Sequence, residues 1–318
     1  MNYKKFGNTD MNVSPISVGT WGIGGAMWGG ANKDESIEAI KTMVDNGVNM
    51  IDTAPAYGMG EAERVIGEAI KEYDRSKLFI ASKFGMTFPN PGGGPPVKNA
   101  SKENILREID ITLANLGTDY LDLYLLHWPD VDTKAPASET FAALEELRQQ
   151  GKIKYLGACN YDQALIEEAQ KYCTFDALQL QYSMVQRDSE ATLKWAADQG
   201  IATMAYAPLG AGILTGRFRE LPEFGPGEAR DFFYPFFKEP TFSKVMELLK
   251  VLDEIAAAKS VPVSQVTINW TVQKSFVSTA LLGARTKAHG LENVAAVNWS
   301  LSDDEIAKID DAIASTLG

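Results

Sequence analysis

What most constrains this 318-residue chain is a rhythm of short apolar runs alternating with amphipathic stretches, repeated about eight times. The runs are Ile16 to Val18, Val48 to Ile51, Leu78 to Ala81, Leu121 to Leu126, Tyr155 to Ala158, Ala177 to Leu180, Ala202 to Tyr206 and Val277 to Leu282. Between them lie helical stretches such as Asp34 to Asp45, Ser101 to Leu116, Ser138 to Gln150, Ala164 to Tyr172, Ser189 to Asp198 and Phe242 to Lys259. Gly47, Gly117, Gly151 and Gly200 stand where a helix would end in a left-handed glycine before the next strand. Parallel strands covered on both faces read as continuous apolar runs, and each needs a long crossover to reach the next. The pattern therefore predicts an α/β chain folded as a (β/α)8 TIM barrel, a single domain over 1–318. A doubly wound sheet would show a composition break into two domains, and none is visible.

Two segments fall outside the rhythm. The opening Tyr3 to Val13, with Gly7-Asn8 as its turn, predicts a β-hairpin that plugs the barrel bottom. The Gly- and Pro-rich stretch Pro208 to Pro240 predicts a long loop over the C-terminal face, and a shorter stretch, Pro89 to Pro96, follows the third strand.

Charge and composition narrow the partners. With 30 Lys and Arg against 42 Asp and Glu, the net charge of −12 has the wrong sign for nucleic acid or an anionic bilayer, so a polyanionic ligand must meet a local basic cluster. No apolar run is long enough to span a membrane and no secretory leader is recognisable, which predicts a cytoplasmic protein. Cys159 and Cys173 make no disulfide framework, and His127 and His289 alone are too few for a histidine-rich zinc site, so no metal is expected.

In a barrel the working side chains come from the C-terminal ends of strands. Four polar residues lie there: Asp52 and Tyr57 in Asp52-Thr53-Ala54-Pro55-Ala56-Tyr57-Gly58, Lys83 in Ser82-Lys83-Phe84-Gly85, and His127 in Leu126-His127-Trp128-Pro129. Singly, each has a plain structural role available: a helix cap, a rim aromatic, a snorkelling lysine, a core imidazole. Together they make a constellation, because inward charge at the end of an apolar strand must be paired, and Asp52 and Lys83 on adjacent strands supply the pair. A cationic lysine beside a phenol lowers the cost of the phenolate, and a nearby imidazole can orient or relay a hydrogen bond. The arrangement predicts a tyrosine general acid.

These residues resemble the aldo-keto reductases, NAD(P)H-dependent barrel enzymes that reduce aldehydes and ketones. The resemblance covers nearly the whole chain: Asp52, Tyr57, Lys83 and His127 match the family's catalytic tetrad in order and strand context, and Gly283-Ala284-Arg285-Thr286 resembles the bacterial branch that includes relatives of the potassium-channel β subunits. It implies that Asn160 and Gln179 meet the nicotinamide carboxamide, with Thr20, Trp21 and Asp52 also near the cofactor, and that Tyr206 stacks on the ring. Ala207-Pro208-Leu209-Gly210 with Arg217 resembles the pyrophosphate loop, so Pro208, Leu209 and Gly210 are expected there. Gly283, Arg285, His289 and Asn293 are expected around the adenosine end, where Arg285 and Lys287 favour NADPH, NADH remaining open. Departures are Cys159 in place of a frequent hydroxyl residue, Gly283 where some members carry a phosphate-binding lysine, and His289 where many carry arginine or glutamine.

Trp21, Trp28 and Trp128 are expected to line an apolar pocket for a small carbonyl or alcohol, with Phe84, Phe232, Phe233, Tyr234, Phe236 and Phe237 as further candidates. Two other readings stay open: a nicotinamide-sensing protein with slow turnover, and a cofactor-free lyase using Lys83 as a Schiff base. Oligomeric state and reaction direction are not written in the sequence.

Overall fold

Eight parallel strands close on themselves: β1 (Ile16–Gly19), β2 (Met50–Asp52), β3 (Phe79–Phe84), β4 (Leu121–Leu126), β5 (Ile153–Cys159), β6 (Ala177–Gln181), β7 (Ala202–Tyr206) and β8 (Thr279–Gly283). Each pairs with its neighbours in sequence, and β8 returns to β1, so this computed structural model is the (β/α)8 barrel that the rhythm predicts. It describes residues 1–88 and 94–318; the expected Gly/Pro loop after β3 lies outside the described residues over 89–93. Every predicted strand is present, with ends shifted by a few residues.

The helices that carry the chain back are α1 (Lys33–Asp45), α2 (Glu61–Ile70), α3 (Lys102–Leu116), α4 (Ala137–Gln149), α5 (Gln163–Ala169), α6 (Glu190–Asp198), α7 (Ala229–Phe233), α8 (Thr241–Lys259), α9 (Val263–Val272), α10 (Lys287–Ala295) and α11 (Asp303–Leu317). Local chemistry marks several starts: Ser101 and Asp162 accept the backbone N–H three residues on, and Ser302 with Glu305 forms a full capping box. At the α3 end Gly117 adopts φ 64, a left-handed turn that a β-carbon would strain.

Two apolar layers hold the barrel. The outer one lies between strands and helices; the inner one fills the barrel with Met50, Ala81, Leu123, Leu125, Cys159, Ala177, Ala202, Met204 and Leu281. Phe6, Met11 and Val13 belong to that inner layer. They come from the N-terminal hairpin, whose strands Lys4–Lys5 and Asn12–Val13 pair antiparallel, so the predicted plug is present. Burying such side chains contributes roughly 1.5–3 kcal/mol each, enough to fix a hairpin with only two residue pairs in its ladder.

At the same lower end the buried Asp122 of β4 is saturated. One carboxylate oxygen accepts from the Ile80 amide (3.0 Å) and forms an ion pair with Arg75 Nη2 (2.8 Å), and the other accepts from Lys154 Nζ (2.9 Å). The ring of Tyr120 lies under both cations, 4.1 Å from the Arg75 guanidinium carbon and 4.5 Å from Lys154 Nζ.

Candidate active site

Register places the polar residues at one mouth. Asp52 ends β2 beside Ala81 of β3, and two residues on, Lys83 pairs with Leu125 of β4. Lys83 is fully buried and its Nζ donates three hydrogen bonds: to Asp52 Oδ1 at 2.6 Å, to the Thr53 carbonyl at 2.8 Å and to the Tyr57 hydroxyl at 3.2 Å. All three ammonium donors are thereby used, which is what a lysine at zero exposure requires. Tyr57 lies on the loop between β2 and α2, held by the turn Tyr57 N–H to Ala54 carbonyl and by Gly24, whose backbone fits so closely against Tyr57 and Gly58 that a β-carbon there would collide. His127 follows β4, and its ring stands edge-on to the Tyr57 ring at 5.8 Å.

Electrostatics set the protonation states. Burial opposes the charge on Lys83, but the Asp52 carboxylate and then Tyr57 outweigh it and the ammonium pKa is raised. Burial pushes the Tyr57 phenol up to about 12, against the pull of Lys83. The Lys83 charge works in the expected direction but desolvation is larger, and the tyrosine holds its proton at neutral pH. Burial first and the Lys83 charge second drive the His127 imidazole well below its ordinary value, so it is neutral.

Behind this group sits a second tier. Gln179 on β6 is buried and donates Nε2 to the other Asp52 oxygen at 2.8 Å. Asn160, in the left-handed region at φ 60, donates to the His127 carbonyl at 3.0 Å and accepts from the Tyr206 hydroxyl at 2.9 Å. Thr20 is buried with its hydroxyl on the Asp52 carbonyl at 2.9 Å. Gln179, Asn160 and Thr20, expected near a nicotinamide, are thus bonded directly to the tetrad's carboxylate and backbone, and Tyr206 joins them through Asn160.

The loops complete the mouth. The segment after β7 passes through Ala207, Gly210, Ala211 and Gly212, all at positive φ, and folds back on itself through the Gly210 amide on the Ala207 carbonyl and the Gly212 amide on the Leu209 carbonyl; Pro208 is buried within it and Leu209 half-buried. Arg217 lies exposed just beyond it. Arg285, past β8, donates to the Trp28 carbonyl at 3.0 Å and to the Gly30 carbonyl, tying down the loop after β1. Burial and the nearby charges of Arg217 and Arg285 lower the pKa of Arg230, although Glu228 opposes them; three arginines therefore share this rim. That is the local basic cluster an acidic chain needs for a polyanionic ligand, and it fits a dinucleotide. Of the residues expected around an adenosine, Gly283 is exposed with open space where a β-carbon would go, Asn293 is buried with its amide on the Gly283 carbonyl (3.3 Å), and His289 is exposed in the first turn of α10, where its amide meets Thr286 Oγ1. Lys287, expected with Arg285, instead pairs with Glu38 at 3.1 Å.

Aromatic residues divide between mouth and core. Trp21 stacks near Tyr57 (6.3 Å) and meets Trp28 (5.1 Å) and Phe233 (6.0 Å) edge-on. Trp128 is 37% exposed beneath Lys98. Phe84, by contrast, is buried against Tyr124 at 4.8 Å, and Phe236 and Phe237 are buried as loop packing. Those three do not line an open pocket, Phe84 lying on the outward face of β3; Tyr234 is buried too, but beside the tetrad, its phenol raised by burial and then by the neighbouring Tyr57, and itself acting on Tyr206. Arg230 escaped the sequence reading, yet it lies 4.9 Å over the Trp28 ring and donates to the Ala211 carbonyl, joining the two long loops together with the Ala229 amide on the Met27 carbonyl. Its only sequence signal was a lone arginine opening an aromatic run.

Comparison with known proteins agrees with this geometry. The model of the aldo/keto reductase family matches residues 15–314. The chain is 33% identical to aldo-keto reductase YhdN of Bacillus subtilis, covering all of this chain and 95% of that one, and 34% identical to an NADH-specific methylglyoxal reductase of Escherichia coli, covering 93% and 94%. Among solved structures, the glycerol dehydrogenase AKR11B4 of Gluconobacter oxydans superposes with a TM-score of 0.88 at 29% identity, covering 99% of this chain and 96% of that one. The chain belongs to the aldo/keto reductase family.

Proposed function

We propose that the chain reduces aldehydes or ketones to alcohols, or runs the reverse reaction, using NAD(P)H and Tyr57 as the general acid. The observation that carries this is the buried Lys83 ammonium, hydrogen-bonded at once to Asp52 and to the Tyr57 hydroxyl. Bound nicotinamide supplies the hydride for the carbonyl carbon. Tyr57 gives its proton to the developing alkoxide, and Lys83, kept charged by Asp52, stabilises the phenolate left behind. His127, being neutral, orients the carbonyl by a hydrogen bond and adds no charge of its own. In this reading Gln179 and Asn160 hold the carboxamide, Tyr206 stacks on the ring, the loop after β7 with Arg217 takes the pyrophosphate, and Gly283, Arg285, His289 and Asn293 surround the adenosine.

Arg285 supports a preference for NADPH, because its fork of donors exceeds the two carbonyls it now binds and suits a phosphate. Trp21, Trp28 and Trp128 make the substrate mouth apolar, favouring small aromatic or aliphatic carbonyls. All of these groups come from one chain acting as one barrel domain. We place the protein in the cytoplasm, in keeping with its two free cysteines, and assign it no nucleic-acid or membrane partner.

The test follows the loss of reduced-nicotinamide absorbance with an aromatic aldehyde, NADPH and NADH in parallel. Turnover that is faster with NADPH is expected. No consumption of either by a protein that binds both would overturn the reductase reading, and faster NADH consumption would overturn the role of Arg285.

A further inference from the structure

One peptide unit next to the tetrad is gripped at both ends. The carbonyl of Phe84, the residue after Lys83, accepts the His127 amide at 3.0 Å. The amide at the other end of that same peptide, on Gly85, donates to Glu108 Oε2 at 2.7 Å. Glu108 comes from α3, outside the barrel, and is 7% exposed. Gly85 must be glycine here: its φ is 88, and a β-carbon would lie 2.7 Å from Leu126 Cδ1. The Asn99 amide on the Gly85 carbonyl completes the clamp. The peptide that bridges Lys83 to the backbone of His127 is thus polarised between a carboxylate and a neighbouring strand.

We propose that Glu108 is a positioning residue for the tetrad: its carboxylate holds the Phe84–Gly85 peptide in the orientation that sets His127 and Lys83 relative to Tyr57, and protonation loosens that hold. The inference deepens the reductase reading and rests on it for its effect on turnover. A charged acceptor makes the stronger bond to an amide, so the ionised form is the tighter clamp.

The groups around Glu108 place its titration in a useful range. Burial raises its pKa to about 7, opposed by the Gly85 amide, Arg107 and Asn104 and assisted by Glu63 of α2. Glu63 is itself fully buried, accepting from Ser82, Thr112 and Asn115. The Tyr124 hydroxyl of β4, buried and without a hydrogen-bond partner among the described residues, feels both carboxylates and Asp110. Arg107 is engaged with Asn104 Oδ1 at 2.6 Å. Among the tetrad groups Lys83 and Tyr57 are raised and His127 is lowered, all three away from neutrality, while burial raises Asp52 against the pull of Lys83 and Gln179.

Two measurements on Glu108→Gln test this, because glutamine keeps a neutral acceptor and the shape. First, kcat is followed from pH 5.5 to 8.5. The wild type should lose activity as pH falls through about 7, by about tenfold, within the ~100-fold that a 1 Å misplacement costs. The variant should stay at the low plateau with no inflection and an unchanged KM for cofactor. Coincident profiles would overturn the proposal. Second, a readout without turnover uses 15N-glycine and 13C-carbonyl phenylalanine labelling, which singles out the three Phe-Gly peptides, Phe6-Gly7, Phe84-Gly85 and Phe224-Gly225. One of the three amide protons, that of Gly85, should move with a midpoint near 7 in the wild type and stay still in the variant. Three flat signals in the wild type would overturn the hold itself. An inactive wild type whose Gly85 amide still titrates would sink the reductase reading while leaving the hold of Glu108 standing.

Discussion

The barrel carries a buried carboxylate with cationic partners at each end, and the two are used differently. At the lower end Asp122 is saturated by the Ile80 amide, Arg75 and Lys154, and both cations keep contact with water, at 20% and 47% side-chain exposure. At the upper end Asp52 and Lys83 are both buried, and the third donor of Lys83 ends on a tyrosine hydroxyl whose ring faces the mouth. The lower cluster closes on itself and holds strands together. The upper one is as well bonded, but one of its bonds terminates on a group that can exchange a proton with whatever enters. A buried ion pair becomes chemical equipment when its network includes such a group; burial alone does not make it so.

The largest expected effect lies at the top. Tyr57→Phe removes the proton donor and keeps the ring, so kcat should fall by about a hundred- to ten-thousand-fold while the thermal melting point stays put. Steady-state turnover alongside a melting curve reads both. Turnover at wild-type level would end the assignment of Tyr57, and a large drop in melting temperature would show that the upper cluster is structural after all, erasing the contrast with Asp122.

The mirror-image variant comes next. Asp122→Ala leaves the Ile80 amide, Arg75 and Lys154 without their shared acceptor, and the half-exposed cations can rehydrate. The loss should be about 2 kcal/mol of stability, with turnover per folded molecule unchanged. Urea unfolding gives the first and active-site titration with cofactor the second. A stable variant with crippled turnover would reverse the roles of the two ends.

These two ends were not equally legible. The upper residues could be read from the chain because they interrupt apolar runs at strand ends, where charge has to be explained. Asp122 interrupts a run too, in Leu121-Asp122-Leu123, but its partners Arg75 and Lys154 lie on other segments and nothing in their local sequence announces the contact. Helices followed the same logic. Amphipathic α3 and α8 showed their period, whereas α9 is buried on every side and its apolar stretch has no period to find. Others of the unnamed helices, α10 and α11, did carry signals, Thr286 and the Ser302-to-Glu305 box, outside the strand-to-strand rhythm. Arg285 was read as a phosphate ligand from its position; its grip on the loop after β1 depends on the tertiary fold alone.

That double duty of Arg285 sharpens the third prediction. Arg285→Met should weaken both cofactors by freeing the loop held through the Trp28 and Gly30 carbonyls. Only the part of the loss specific to a 2′-phosphate changes the NADPH-to-NADH ratio of kcat/KM, and one charge-assisted contact is worth about tenfold there. Equal losses for both cofactors would make Arg285 a loop clasp only, a support residue at the functional end of the barrel.

The smallest effect returns to the lower end. Lys4, in the hairpin that plugs the barrel, donates to the Val272 carbonyl at 2.6 Å and the Val277 carbonyl at 2.9 Å and has no carboxylate partner among the described residues. Burial lowers its pKa to about 8 from an ordinary value of 10.5. Between those values the unfolded chain binds more protons than the folded one, so this group makes stability rise with pH from about 8 upward. Buried tyrosines with raised pKa act the opposite way above about 10, which confines the useful window to pH 8 to 10. Unfolding midpoints of the wild type and Lys4→Met across that window should differ in slope, the wild type gaining more. Parallel curves would mean that the plug lysine is as well compensated as Asp122.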